Sequence, residues 1–91
     1  MSWKIDSVGL FYSCGEGMEV YFDPASGDTH LVSEFAAYLI RQIAGKNRPL
    51  DSEELISLIA TDIEPADLPE LIQAIPDILA ELTSLDIVAQ A

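Results

Sequence analysis

The stretch from Asp23 to Val32, Asp-Pro-Ala-Ser-Gly-Asp-Thr-His-Leu-Val, gathers the side chains of this chain best suited to chemistry. It holds the sole histidine, His30, with Asp28 two residues before it and Asp23 across a turn. An imidazole near carboxylates is the beginning of a weak metal site. A stable site takes three or four ligands, and the chain offers one histidine, one cysteine, Cys14, and carboxylates. Cys14 or Ser26 beside His30, with an orienting acid, would be a nucleophilic arrangement. No spacing specifies either constellation. The residue types fit better a strand histidine on a half-exposed face, hydrogen-bonded locally. Glu70, Asp77 and Glu81 lie mostly off the apolar stripe of their segment, as a solvated face does, so paired-carboxylate catalysis gains nothing there. Gly15-Glu16-Gly17 is a turn signal, not a phosphate-cradling loop. The expectation is a protein that is not an enzyme and needs no cofactor or metal.

Charge narrows the partners. Sixteen acidic residues face four basic ones, for a net charge of −12. Such a surface repels nucleic acid and anionic membranes and attracts a basic partner, besides keeping a small apolar-rich domain in solution. No Lys or Arg occurs between Asp51 and Leu85. A DNA-reading helix in that region would lack the phosphate contacts that supply affinity. Three of the four cations, Arg41, Lys46 and Arg48, cluster around the end of one helical segment. They complement a helix dipole there or form a docking patch for a partner. No run approaches a membrane span, the start does not read as a signal peptide, and a single cysteine suits a reducing compartment. A cytoplasmic protein is expected.

The elements that must position these residues fall in two groups. With 91 residues, one domain spanning 1–91 is expected, a β-meander to about residue 32 and a helical part after it. Leu10–Tyr12, Met18–Asp23 and Asp28–Val32 read as strands joined by turns at Gly15–Gly17 and Pro24–Gly27. In the second strand Met18, Val20 and Phe22 share one face, and Glu19, Tyr21 and Asp23 the other. Ser33 is placed to cap a helix with Phe35, Ala36, Leu39, Ile40 and Ile43 on its apolar side and Gly45 at a left-handed end. Asp51 and Glu54 form a capping box for a second helix, with Leu50 and Leu55 as a staple. A third helix starts near Asp67 or Leu68 and carries Leu71, Ile72, Ile75, Leu79 and Leu82 on one side. Pro76 within it predicts a kink or a break. Ile87-Val88 closes as a short extended piece. Strands followed by helices imply an α+β domain, an order a winged helix also has.

A three-stranded sheet has two edges, and an unpaired edge is protected or used. Its use is strand addition by an extended peptide. The apolar side of the last helix would supply a second wall.

At this point the residues resemble a known family. Trp3, the run Val20–Ile40 (VYFDPASGDTHLVSEFAAYLI), Leu55–Ala60 (LISLIA) and Leu82–Val88 (LTSLDIV) resemble the PqqD-like peptide chaperones, or precursor-peptide recognition elements, in the branch of the HPr-rel-A systems. The resemblance implies a winged-helix-like domain of three strands and three helices. It implies a non-catalytic chaperone that binds a precursor leader peptide as an added strand and presents it to a modifying enzyme, a radical SAM or HPr-kinase-like protein. Carried over, the augmented strand is Asp28, Thr29, His30, Leu31 and Val32, and the helix wall is Leu71, Ile72, Ile75 and Leu79. His30 becomes a groove-lining or turn-bracing residue, whose protonation beside Asp28 would make binding pH-sensitive. Asp86 stands where the family pattern has Gly, and Pro76 departs from it too. A second reading is an adaptor that docks an HPr-kinase-like protein and handles no leader. Neither nucleic acid nor membrane is expected as a partner, and the chain is expected as a monomer or an edge-paired homodimer.

Overall fold

The computed structural model describes residues 2–46 and 48–91. Its first strand, β1 (Ser2–Lys4), was not expected: three residues carry too little alternation to register. The meander follows, with β2 (Leu10–Gly15), β3 (Met18–Phe22) and β4 (Thr29–Ser33) antiparallel in the order β2-β3-β4. Then come α1 (Glu34–Ala44), the two-residue β5 (Leu50–Asp51), α2 (Ser52–Asp62), α3 (Leu68–Ser84) and β6 (Ala89–Gln90). The protein is α+β, with a three-stranded antiparallel sheet and three helices. A second small sheet, β5-β1-β6, is added to the expected plan. It blurs the division near residue 32, because β1 pairs with strands from the helical part: Trp3 lies opposite Leu50 on one side and Gln90 on the other.

Local chemistry accounts for the helix starts. Ser33 is extended (φ −69°, ψ 160°), and its Oγ accepts from the Ala36 N–H at 3.1 Å. Asp51 caps α2 by accepting from the Glu54 N–H at 2.8 Å, while Glu54 accepts from the Asp51 N–H at 3.4 Å. Both satisfy backbone donors that a helix start leaves unpaired. The end of α1 differs from expectation. Gly45 is right-handed (φ −70°); its N–H donates to the Arg41 carbonyl at 2.9 Å, and the Lys46 N–H donates to the Ile43 carbonyl at 3.3 Å.

Buried side chains from every layer meet in one core. Leu39, Ile40 and Ile43 of α1 pack with Leu55 and Ile59 of α2, Ile75, Leu79 and Leu82 of α3, Tyr21 and Val32 of the meander, and Trp3 and Leu50 of the small sheet. The helix α3 runs unbroken for 17 residues through Pro76. Pro76 removes one internal hydrogen bond, a cost of about 3 kcal/mol. Burial of Ile75, Leu79 and Leu82 offsets it, at roughly 1.5–3 kcal/mol for each large apolar side chain. After the C-cap Leu85 the chain turns at Asp86, which takes φ 60°, while the Ile87 N–H donates to the Leu82 carbonyl at 3.0 Å. The left-handed turn expected of a glycine is therefore made by an aspartate, a residue type that visits it at modest cost.

Because Pro76 is exposed, Pro76→Ala is expected to raise unfolding free energy by up to about 3 kcal/mol. Urea denaturation measures this. No gain would show that the backbone has already relaxed around the missing hydrogen bond.

Candidate functional site: the free edge of the third meander strand

The turn before β4 is tied by one carboxylate. Asp23 is 3% exposed. Its Oδ1 accepts from the Ala25 N–H (3.1 Å) and its Oδ2 from the Ser26 hydroxyl (3.1 Å). Its backbone joins the knot. The Asp23 N–H donates to the Asp28 carbonyl, and the Gly27 N–H donates to the Asp23 carbonyl, both at 2.8 Å. Gly27, at φ 77°, supplies the left-handed step. Ser26 Oγ then accepts from the Asp28 N–H at 3.2 Å. Asp23, Ser26 and Asp28, three of the residues that suggested chemistry in the sequence, thus build a turn.

That turn fixes the phase of the β3–β4 ladder. One end is the Asp23-to-Asp28 bond, and the other is the Glu34 N–H donating to the Gly17 carbonyl at 2.9 Å. Between them the register runs from Phe22 opposite Thr29 to Met18 opposite Ser33. In an antiparallel pair, alternate residues bond to the neighbour strand and the others point their backbone groups away. Asp28, His30 and Val32 therefore face β3. Thr29, Leu31 and Ser33 direct their N–H groups outward, with the Thr29 and Leu31 carbonyls. Among the described residues no strand pairs on that side, since the sheet order ends at β4.

A cleft of about 220 Å³ lies beside this edge. Met18, Leu31, Val32 and Ser33 line it from the sheet, Ala36 from α1, and Ile78, Glu81 and Leu82 from α3. The strand-plus-helix arrangement is there, but the helix wall differs from the expected one. Ile75 and Leu79 are 3% and 2% exposed and sit in the core, while Leu71 and Ile72 are half-buried. The apolar stripe holds the domain together, and the adjacent face reaches the cleft. Leu71 lies two turns before Ile78 on that adjacent face. The signal that could have found the wall was Ile78, an apolar residue left off the main stripe.

On the strand, Leu31 is 63% exposed, Thr29 and Asp28 are exposed, and Val32 is buried. His30 points inward, in a row with Phe11 and Tyr21, whose rings are 4.8 Å apart. Its Nε2 is buried without a hydrogen-bond partner. Among the described residues no ion pair joins it to Asp28, so the pairing expected to make binding pH-sensitive does not form. The inner face is also the polar one. Glu19 receives two hydrogen bonds from Arg41 (2.7 and 3.4 Å). The Tyr21 hydroxyl accepts from the Gly9 N–H at 2.9 Å. Burial pushes the Tyr21 phenol above its ordinary range, against that hydrogen bond, with the Asp23 charge adding to the rise. Gly9 must be glycine: a Cβ there would lie 1.6 Å from the Phe22 carbonyl oxygen.

The expected cation patch is divided. Arg41 lies over the Phe11 ring, 4.1 Å from its centre, and bonds Glu19. Arg48 pairs with Glu54. Lys46 and Arg48 line a separate hollow with Lys4. Elsewhere Tyr38 donates to Asp62 at 2.8 Å, and burial, with that bond and charge, pushes its phenol to about 12. Among the described residues no three His, Cys, Asp or Glu side chains converge on a metal position, and no helix is long and apolar enough to cross a membrane.

No family model, curated protein or solved structure matches the chain.

Asp23→Ala is expected to cost about 2 kcal/mol, since it strips the turn of two acceptors, and to raise amide exchange along β4. Unchanged exchange at Leu31 and Val32 would show that the knot does not govern the strand. Glu54 gives a pH signature. Hydrogen bonding from Arg48 first, then from the Asp51 N–H, lowers its carboxyl below its ordinary value of 4.5. A lowered carboxyl stabilises the fold fully above that ordinary value, and the contribution disappears as pH falls through the lowered one. Glu54→Gln should therefore narrow its stability gap to the parent protein as pH drops below about 4.5; a constant gap in urea titrations would refute the linkage.

Proposed function

We propose that this protein is a non-catalytic peptide-binding chaperone. An extended segment adds as a strand to β4, with alternate side chains entering the cleft against Ile78 and Leu82. The observation that carries the reading is the pairing of outward backbone groups at Thr29, Leu31 and Ser33 with an apolar cleft at the same edge. Main-chain bonds supply affinity in such recognition, and the pockets supply selectivity. The sequence resemblance to the PqqD-like chaperones supports the further step. On it, the peptide is the leader of a ribosomally made precursor, presented in the cytoplasm to a radical SAM or HPr-kinase-like enzyme. The adaptor alternative draws on Arg41, Lys46 and Arg48, two of which already hold internal carboxylates.

The test is an amide NMR titration with short peptides encoded beside the gene, in the parent protein and in Leu31→Pro. The Leu31 N–H points away from β3, so proline there removes a donor that only an incoming strand uses, and an edge tolerates it. Shifts should concentrate on Thr29–Ser33 and Ile78–Leu82. Leu31→Pro should stay folded and bind about tenfold more weakly, the worth of one or two hydrogen bonds. Shifts confined to Arg41–Arg48 on adding a kinase-like neighbour, or peptide affinity indifferent to Leu31→Pro, would overturn the reading.

A further inference from the structure

The outer face of the meander presents an inversion. Cross-strand rows place Leu10 opposite Phe22 and Thr29, and Tyr12 opposite Val20 and Leu31, all on the side away from the helices. None of these residues is charged, in a chain with 22% charged residues. The carboxylates of these strands, Glu19 and Asp23, sit on the inner face, held by Arg41 and by the turn. Leu10, Tyr12 and Leu31 are 59%, 58% and 63% exposed. Together they show roughly 300 Å² or more of contiguous apolar surface, the size of the largest patch on a typical monomer, which is often functional. A sheet packed by helices on one side and apolar on the other lacks a second layer.

We propose that this second layer is the same face of another copy, stacked sheet on sheet. The charge distribution selects that occupant. A cationic partner would be recognised by carboxylates within the patch, and these rows have none. In a two-fold contact each residue meets its own face, so any charge there would oppose its like. An uncharged face is where two chains of net charge −12 can touch without bringing carboxylates together. Inner faces of stacked sheets lie about 10 Å apart and interdigitate as these side chains would. Two such patches bury under about 1,200 Å², which gives a weak, reversible dimer. The outward backbone groups of β4 stay open in it while the Leu31 side chain is shared with the cleft, so the contact goes beyond the peptide-binding reading and does not depend on it.

Net repulsion gives the dimer an unusual signature. Raising salt from about 0.01 M to about 0.1 M shortens the screening length from about 30 Å to about 10 Å. Sedimentation equilibrium should therefore show dimerisation strengthening several-fold with salt. Tyr12→Lys lowers the repulsion between chains, yet should weaken the dimer about tenfold or more because it places a charge in the stacked layer. Amide exchange at Thr29 and Leu31 should be indifferent to dimerisation. A monomer at every concentration up to about 1 mM, where even weak association registers, would overturn the proposal. So would association weakened by salt, Tyr12→Lys without effect, or protection of Thr29 and Leu31 on association, which would mark edge pairing instead. Ile78–Leu82 belong to the cleft alone and Tyr12 to the outer face alone, so peptide shifts at the first and sedimentation of Tyr12→Lys distinguish failure of one reading from failure of the other.

Discussion

A buried carboxylate at the β3–β4 turn governs more of this fold than any single apolar contact. Asp23 gathers the Ala25 N–H and the Ser26 hydroxyl, and its own backbone closes against Asp28 and Gly27. The consequence is a register. Strand side chains alternate with a period of two, so a one-residue slip of β4 would bring Leu31 into the core and put Val32 into water. It would also exchange the outward backbone groups for those now bonded to β3. Core composition, edge chemistry and the position of the cleft all depend on where that turn stops. The acid that stood across the turn from His30 as a candidate metal ligand therefore sets the geometry of that turn.

The inside and outside of the meander follow a less familiar rule. Apolarity would choose Met18, Val20 and Phe22 for the core. The structure instead buries the side of Glu19, Tyr21 and Asp23, each with its polar atoms satisfied by Arg41, Gly9 or the turn. Burying polar groups is tolerable when every one has a partner. His30 is the exception on that face, with Nε2 left unpaired. The Arg41 guanidinium serves twice, over the Phe11 ring and against Glu19, which fastens α1 to the sheet through both charge and ring.

What the sequence revealed was local. The Ser33 cap, the Asp51–Glu54 box, the start of α3 and both meander turns were readable because each is decided by residues within four positions of one another. The edge position of β4 followed from the meander order. The small sheet was not readable, because β1, β5 and β6 are two or three residues long and are defined only by pairing across the chain. Two residues of the expected helix wall, Ile75 and Leu79, lie in the core for a related reason. Periodicity finds the stripe that faces the core, and Ile75 and Leu79 belong to it. The face that lines the cleft, with Ile78 and Glu81, is visible only once β4 is docked beside α3. Pro76 was read by its local cost alone, while the apolar burial on the other side of the helix decided the outcome.

The small sheet also orders events in time. Trp3 pairs with Leu50 and with Gln90, and the Ala91 N–H donates to the Ser2 carbonyl at 2.8 Å. Contacts that span most of a chain carry the largest loop-closure cost, and they form after local ones. During synthesis the β2–β4 meander and α1 have all their own partners before β6 has left the ribosome. Closure of β1 between β5 and β6 is then the late step that seats Trp3 against the core. Perturbations of this clasp should act mainly on how fast the native domain opens, leaving the meander's early assembly almost untouched.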